Sequence, residues 1–154
     1  MRLRVLIVAA LVALAVPSAT TARPVKTHHS GHAHGARILG TWSVQVTPAG
    51  APSFPALITF TQGGGVIETE SDAPGTGQGA WKRIGHRRFA FAFQTFIFSS
   101  TGDPAGHVVV RSVVTLRHGT LSGPFKFDVV DPAGHTVQSG SGTATATRFA
   151  IPQF

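Results

Sequence analysis

Few side chains in this sequence have the types and spacing that chemistry requires, and the first set of them lies inside apolar, strand-like runs. That set is Glu68, Glu70, Gln94, Arg111 and Asp128. A carboxylate beside an arginine in an apolar cavity can orient a polar ligand group or move a proton. The same residue types are common on the exposed faces of strands. They are therefore candidates only where the strand alternation turns them inward.

A second set is a histidine tract in residues 23–36, which read RPVKTHHSGHAHGA. Its members are His28, His29, His32 and His34, and neutral imidazoles close together in sequence chelate divalent metals. The segment has no apolar periodicity and offers no outer shell of groups to orient such ligands. We expect a flexible, solubilising tail, with metal binding at the four histidines as the alternative.

The third set is the pentapeptide Asp-Pro-Ala-Gly-His, which occurs at 103–107 and again at 131–135. An Asp close to a His can form an acid–base pair or bind a metal. Pro at the second position of a turn, with Gly in the left-handed position after it, instead suits a type I turn closed by a bulge. We therefore expect two equivalent turns, in which the Asp caps the turn and the His pairs across it.

Several function classes lack their sequence signals. The chain has no cysteine, which excludes disulfides, a lipid-modified cysteine and thiolate chemistry. The glycines at 63–65 lie between two strand-like runs rather than before a helix, so they do not form a phosphate-binding loop. No Ser-His-Asp motif, Cys/His metal spacing or recognition helix is present in the pattern. The sequence therefore predicts no cofactor and no sequence-specific binding of nucleic acid.

The N-terminus has the three parts of a secretory signal peptide. Arg2 and Arg4 precede an apolar run over Val5–Val16, and small residues lead up to Ala22. The run is too short to span a bilayer and fits a leader that is cleaved near Ala22. We expect a secreted or periplasmic protein with a signal peptide at 1–22, a disordered His-rich tail at 23–36 and one domain at 37–154.

That domain reads as all-β, because Gly, Pro and Asp turns separate eight runs of β-branched and aromatic residues. The predicted strands are Gly40–Thr47, Ala56–Gln62, Val66–Ser71, Ala80–Ile84, Arg88–Phe98, His107–Leu116, Leu121–Val130 and His135–Phe149. The connections are too short to contain a helix, which favours an antiparallel up-and-down meander closed into one eight-stranded barrel. A sandwich is the alternative fold. An eight-stranded barrel is filled by side chains or holds one small ligand.

Residues on the predicted strands are candidates to line such an interior, and the polar ones among them qualify only if their strand face proves to be inward. The predicted ligand-binding set is Trp42, Phe91, Phe93, Gln94, Arg111, Phe125, Phe127 and Asp128. If the His-Gly dipeptide before the seventh strand forms a two-residue primed turn, Arg111 faces Lys126 and lies one diagonal step from Asp128. The simplest arrangement then places these charges outside and the Phe and Val residues of the same strands inside.

The fifth predicted strand leaves its inward face undetermined. Its alternate positions Phe89, Phe91 and Phe93 form one apolar face, and Phe96 and Phe98 lie on the opposite face. A strand that is apolar on both sides is usually covered on both sides. We expect a subunit contact in a homo-oligomer, or the C-terminal residues 150–154, to cover the outer face.

An up-and-down barrel would also separate charge between its two ends, because successive turns alternate between them. One end would carry Asp72, Asp103 and Asp131. The other would gather the basic residues Arg37, Lys82, Arg83, Arg87, Arg88, Arg117 and Arg148. Arginine forks at such a rim recognise carboxylate or phosphate groups. The predicted partners are a hydrophobic small molecule inside the barrel and an anionic surface at the basic rim, with ordinary solvated charge as the alternative there.

Residues from Gly79 to Arg148 resemble the allene oxide cyclase barrel-like family. The resemblance rests on Ala80-Trp81-Lys82, Arg88-Phe89-Ala90-Phe91, Val110-Arg111, and Asp128-Val-Val-Asp131-Pro-Ala-Gly134 before a Gly/Thr-rich last strand. Gly40-Thr41-Trp42 also resembles the Gly-x-Trp opening of lipocalins. The resemblance implies a calycin-like barrel, often oligomeric, whose enzymes cyclise an unstable lipid epoxide in an apolar cavity. No catalytic residue of those enzymes matches a position here, so the activity is not carried over.

Three functions remain open from the sequence. The first is an exported barrel that binds a hydrophobic small molecule in its interior. The second is a cyclase or isomerase that acts by confining its substrate in an apolar cavity. The third is a structural or cell-surface interaction protein with a filled core. The interior distinguishes them: an open Phe/Val pocket favours the first, and an inward carboxylate with an arginine favours the second.

Overall fold

The computed structural model describes residues 37–73 and 75–153, which form one closed barrel of eight antiparallel strands. The strands are β1 Gly40–Pro48, β2 Phe54–Phe60, β3 Gly65–Glu70, β4 Thr76–Arg83, β5 Arg88–Phe98, β6 Pro104–Arg117, β7 Thr120–Val130 and β8 Thr136–Arg148. Each strand pairs with its neighbours in the chain, and β1 pairs with β8 to close the cylinder. The predicted barrel is confirmed, and the sandwich alternative is wrong.

Some predictions fall on residues outside the described ranges. These are the signal peptide at 1–22 and the tail with His28, His29, His32 and His34. Within 37–73 and 75–153, no helix is long and apolar enough to cross a membrane.

The β6–β7 hairpin confirms the predicted register. His118 and Gly119 both have positive φ, 47° and 82°, as a two-residue type I′ turn requires;. Arg117 consequently faces Thr120, and Arg111 faces Lys126. Arg111 Nη1 donates to Asp128 Oδ2 at 2.7 Å, one diagonal step away on the outer face.

The fourth strand is longer than predicted and begins at Thr76 instead of Ala80. Its first half, Thr-Gly-Gln-Gly, has the composition of a loop, and the sequence analysis assigned it to one. In the structure Gly77 pairs with Glu68 of β3, and Gly79 pairs with Phe93 of β5. A side chain at Gly79 would collide with the backbone of Ala92 and Phe93. Glycine here marks a close approach between strands rather than a break in the sheet.

The two copies of the Asp-Pro-Ala-Gly-His pentapeptide adopt different structures, and the prediction of two equivalent turns is wrong for the first. In the copy at 131–135, Gly134 has a φ of 87° and its N–H donates to the Asp131 carbonyl. His135 Nδ1 lies 3.4 Å from Asp131 Oδ2, as expected.

In the copy at 103–107, the chain is already in β6 from Pro104, and the turn lies earlier. Gly102, with a φ of 86°, closes that turn through its N–H to the Ser99 carbonyl. The Ser-Ser-Thr-Gly sequence before the first copy therefore supplies the turn, and Gly106 instead sits where a side chain would meet the Val130 carbonyl.

The packed core fills the end of the barrel that contains the β2–β3, β4–β5 and β6–β7 turns. Its largest fully buried side chains are Ile38, Trp42, Phe60, Val66 and Phe89. Val114 of β6 and Leu121 of β7 belong to the same cluster, which extends through Ile58 and Phe93 toward the middle of the barrel. Ile38 precedes β1 and packs into this cluster, with none of its surface exposed. This end of the molecule is therefore closed.

A group of contacts that we call the seam latch joins β1 to β8 at the closed end; it consists of Ile38, Trp42 and Arg148. The Trp42 indole N–H donates to the Ile38 carbonyl oxygen at 2.8 Å. The Arg148 guanidinium lies 4.3 Å from the centroid of the Trp42 ring and donates to the carbonyl oxygens of Arg37 and Leu39. The seam latch therefore connects the segment before β1, which includes Ile38, to the last strand, β8.

The outer face of β5 carries two exposed phenylalanines. Phe96 and Phe98 are 63% and 57% exposed. Ile151, in the C-terminal segment expected to cover them, is itself 84% exposed. Residues 150–153 therefore do not cover this face, and self-association through it stays a prediction.

Substitutions in the seam latch should lower the free energy of unfolding in proportion to the contacts removed. Trp42→Ala leaves a core cavity and should cost about 3–5 kcal/mol. Arg148→Ala removes a cation–π contact and two hydrogen bonds and should cost about 1–2 kcal/mol. Urea unfolding measures both. Arg117→Ala, at an exposed arginine on the same end, is the control; an equal effect of the two arginine substitutions would contradict the latch.

Candidate ligand-binding cavity

The other half of the barrel interior is open. A cavity of about 340 Å³ begins above the packed core and reaches the end that holds the β1–β2 and β3–β4 loops. The side chains that line it are Val44, Val46, Pro48, Ala51, Phe54, Ala56, Ile58, Glu68, Glu70, Asp72, Phe91, Phe93, Val108, Val110, Ser112, Phe125, Phe127, Val129 and Ala144. Its wall is almost entirely apolar. The polar exceptions are one serine and a row of three carboxyl groups.

Inward-facing glycines make room for the aromatic rings of this wall. A side chain at Gly142 would lie 2.6 Å from Phe125 Cζ, and one at Gly140 would collide with the Phe127 ring. A side chain at Gly77 would likewise lie 2.6 Å from Phe93 Cδ2. Each ring therefore lies against the backbone of the neighbouring strand instead of filling the centre. This packing keeps the cavity open in spite of its many phenylalanines.

The three carboxyl groups follow β3 and the loop after it, from the interior to the mouth. Glu68 is only 5% exposed, Glu70 is half-buried and Asp72 is exposed. Glu68 lies between Ile58 of β2 and Gly77 of β4, neither of which carries a polar side chain. No residue within 37–73 or 75–153 donates a hydrogen bond to the Glu68 carboxyl. No three acidic or histidine side chains of those ranges are close enough together to hold a metal ion.

Burial raises the pKa of Glu68 from 4.5 to about 8, and the negative charges of Glu70 and Asp72 raise it further. Burial, followed by the charge of Asp72, also raises the pKa of Glu70. The physical cause is the same in both: a carboxylate inside an apolar cavity loses its hydration, and no cation compensates for it. At neutral pH Glu68 is consequently a protonated acid that faces the cavity.

The structure divides the sequence-predicted site residues into three locations. Phe91, Phe93, Phe125 and Phe127 line the cavity, as do the inward candidates Glu68 and Glu70. Trp42 faces inward but belongs to the packed core and the seam latch, away from the cavity. Gln94, Arg111 and Asp128 lie on the outer face. The interior therefore contains acidic groups without an arginine among the described lining residues.

The outward placement of Gln94, Arg111 and Asp128 follows from the alternation of their strands. Gln94 lies between the inward residues Phe93 and Thr95, and Arg111 lies between Val110 and Ser112. Asp128 accepts hydrogen bonds from Ser139 and Arg111, and these bonds lower its pKa. These three residues form surface interactions between strands instead of a polar cluster inside the barrel.

Part of the lining was not predicted from the sequence. Val110 was correctly placed inside with Phe125 and Phe127, but Ala56, Ile58 and Val108 were not singled out. Asp72 was assigned to the acidic end but not to the cavity wall. The signal that could have found Val108 is the alternation along β6, whereas the role of Asp72 depends on how the β3–β4 loop bends over the mouth.

The closed end carries the predicted basic rim. A surface depression of about 640 Å³ there is lined by Arg37, Trp42, His86, Arg87, Phe89, Leu116, His118, Gly119 and Arg148. The turns with Asp72, Asp103 and Asp131 lie at the opposite end, beside the cavity mouth. The two ends of the barrel thus differ in charge, with the negative end around the open cavity.

Comparison with known proteins identifies the architecture only. The chain matches no protein-family model, and no curated protein is similar to it in sequence. A solved structure, "EF1p2_mFAP2b bound to DFHBI", is similar with a TM-score of 0.56 and 15% sequence identity, over 75% of this chain and 97% of that one. A redesigned β-barrel, b11L5F_LGL, matches with a TM-score of 0.48 and 22% identity, over 76% of this chain and 96% of that one. The first likeness shows a shared barrel fold.

The raised pKa of Glu68 should make stability fall with increasing pH. Between about pH 4.5 and pH 8 the folded protein keeps a proton on Glu68 that the unfolded chain releases, so each step up in pH favours unfolding;. Across that window the loss should be on the order of a few kcal/mol. Glu68→Gln, which keeps the shape without the charge, should remove this component and be more stable than the wild type at about pH 9.

Urea unfolding at a series of pH values measures the difference between the two proteins. Asp131→Asn removes one negative charge from the same end outside the cavity and is the matched control. If the free energies of unfolding of the wild type and Glu68→Gln changed in parallel with pH, Glu68 would be hydrated and not buried.

Proposed function

We propose that this protein binds a hydrophobic small molecule in the open half of its barrel. The observation that supports this most directly is the cavity of about 340 Å³, which lies within the roughly 300–1,000 Å³ range of small-molecule sites;. Its Phe and Val wall would gain about 25 cal/mol for each Å² of apolar ligand surface removed from water. The solved barrel in complex with DFHBI is a protein of similar fold described as bound to a small molecule.

A second candidate is the cyclase or isomerase that the resemblance to allene oxide cyclase barrels suggested. The observation in its favour is the protonated Glu68 inside the cavity, because a buried acid with a pKa near neutrality is suited to proton transfer;. No arginine accompanies it among the described lining residues. A bound lipid epoxide should then be converted by the wild type and merely bound by Glu68→Gln. Equal conversion by both would remove Glu68 from the chemistry.

The compartment and the outer surface are part of the same proposal. A leader at 1–22 would deliver the barrel outside the cytoplasm. The basic rim, with Arg37 and Arg87, would then face an anionic surface while the cavity mouth at the opposite end stays accessible. Opposite charge at the two ends is the property that would orient the barrel in this way.

Narrowing the cavity should weaken ligand binding while the fold is retained. Ala144→Leu adds an apolar side chain to the lining and should weaken binding of the neutral fluorophore N-phenylnaphthylamine about tenfold or more. The thermal midpoint should stay the same or rise, because the added side chain fills space. Ala92→Leu, the same change on the exposed outer face of β5, is the control and should bind like the wild type.

A fluorescence titration of the full chain, expressed with its own leader, measures these affinities. Equal binding by Ala144→Leu, Ala92→Leu and the wild type would place the fluorophore outside the barrel. No binding by any of the three would contradict the proposed function.

A further inference from the structure

We infer that the ligand of this cavity carries a protonated amine, whose ammonium group binds against Glu68 while its apolar body packs among the Phe and Val side chains. This inference rests on the proposed ligand-binding function and specifies the chemical class of the ligand. It stands on three observations: a buried carboxyl group with no partner among the described residues, a described lining without a cationic side chain, and a row of carboxyl groups that leads to the mouth.

The first observation is the state of Glu68. The residue is 95% buried and lines the cavity, and no residue within 37–73 or 75–153 donates a hydrogen bond to the carboxyl group that borders it. Burying a polar group without a partner has a large free-energy cost, and proteins rarely retain such a group without a use for it. A ligand group that donates hydrogen bonds to Glu68 would satisfy it. A charged donor does so most strongly, because hydrogen bonds between ions are about twice as strong as neutral ones.

The second observation concerns the sign of the charge. Glu70 and Asp72 are the other titratable side chains of the described lining, which within residues 37–73 and 75–153 has no Lys, Arg or His. The strands beside Glu68 present Ile58 and Gly77, and the far wall presents Phe, Val and Ser side chains. Any charge that these groups carry is therefore negative. An anionic ligand would be repelled once they ionise, and a neutral ligand would leave Glu68 without a counter-ion above its pKa of about 8.

The third observation is the order of the acids along the entry route. Asp72 is exposed at the mouth, Glu70 is half-buried below it, and Glu68 is the most deeply buried. The turns with Asp103 and Asp131 lie at the same end. A row of like charges that leads into a low-dielectric cavity concentrates cations at its entrance and speeds their association. On entry, the ammonium group would thus pass from the hydrated carboxyl group of Asp72 to the dehydrated carboxyl group of Glu68.

Binding of a cation should be coupled to release of a proton. The pKa of free Glu68 is about 8, so near neutral pH the ammonium group displaces its proton to solvent. Affinity for an amine should consequently rise as the pH increases through that value. Affinity for a neutral ligand should fall over the same range, because an ionised Glu68 makes the empty cavity more polar.

The test compares three ligands with the same apolar body: decylamine, decanol and decanoate. Each is titrated against the full chain by displacement of N-phenylnaphthylamine, at about pH 7 and about pH 9. We expect decylamine to bind about tenfold or more tightly than decanol at the higher pH, with decanoate the weakest. The ratio of amine to alcohol affinity should be larger at about pH 9 than at about pH 7.

Two variants locate the effect. Glu68→Gln should lower the amine-to-alcohol ratio about tenfold while its affinity for decanol is kept or improved. Asp131→Asn, which removes the same charge from a turn outside the cavity, should keep the wild-type ratio. Loss of the ratio in both variants would mean that general charge, and not Glu68, selects the amine.

The outcomes separate this inference from the function on which it rests. Decanol binding as tightly as decylamine, with an unchanged ratio in Glu68→Gln, would overturn the amine class and leave a barrel for neutral apolar ligands. Failure of all three compounds and of the fluorophore to bind would overturn the proposed function itself.

Discussion

Closing eight strands into one cylinder encloses a fixed interior space, and the sizes of the inward side chains decide how that space is used. At one end Trp42, Phe60 and Phe89 fill it completely. At the other end the inward positions hold Val, Ala, Gly and Phe residues, and Phe93, Phe125 and Phe127 lie against glycines of neighbouring strands. The cavity is therefore a result of where the large residues stand along each strand, and the packed end supplies the stability that the open end lacks.

The division between the two ends explains how the fold tolerates Glu68, whose burial lowers the free energy of unfolding. Glu68 lies in the half of the barrel whose packing is incomplete, where its burial destabilises the fold at neutral and alkaline pH. The seam latch and the most deeply buried side chains of the core cluster lie at the opposite end, although Ile58 and Phe93 of that cluster also line the cavity. Functional groups commonly reduce stability where they act, and the rest of the structure offsets the cost. Here the two roles are separated along the axis of one barrel.

Much of the fold was predictable because its signals are local. Alternation in β1 and β5 indicates the limits of those strands from neighbouring residues alone. The His-Gly turn before β7 determines the register of β6 and β7 in the same local way. The first copy of the repeated pentapeptide was not predictable from its own sequence, since the preceding Ser-Ser-Thr-Gly takes over the turn. The glycines of β4 were misassigned for a related reason: their place in the sheet depends on the backbone of β5 and the ring of Phe93, which are distant in sequence.

The candidate site was predictable only in its aromatic part. Alternation correctly placed Phe125 and Phe127 in the interior, whereas Phe91 and Phe93 were candidates on a strand whose inward face alternation left undetermined. The same alternation places Gln94, Arg111 and Asp128 on the outer face. Their polar side chains are no reason to place them inside instead. Trp42 does face inward, but depth along the barrel axis is not encoded in alternation. The depth of Trp42 follows from the stagger of the strands and from its contact with Ile38, which is buried at the closed end.

The central claim is that one half of this barrel is an open apolar cavity with an unpartnered acid inside it. The most direct measurement is the pH titration of the Glu68 carboxyl carbon shift by nuclear magnetic resonance, with and without decylamine. The account predicts a midpoint near 8 for the free protein, which moves to lower pH when the amine binds. A midpoint near the ordinary value of 4.5, unchanged by the amine, would contradict it.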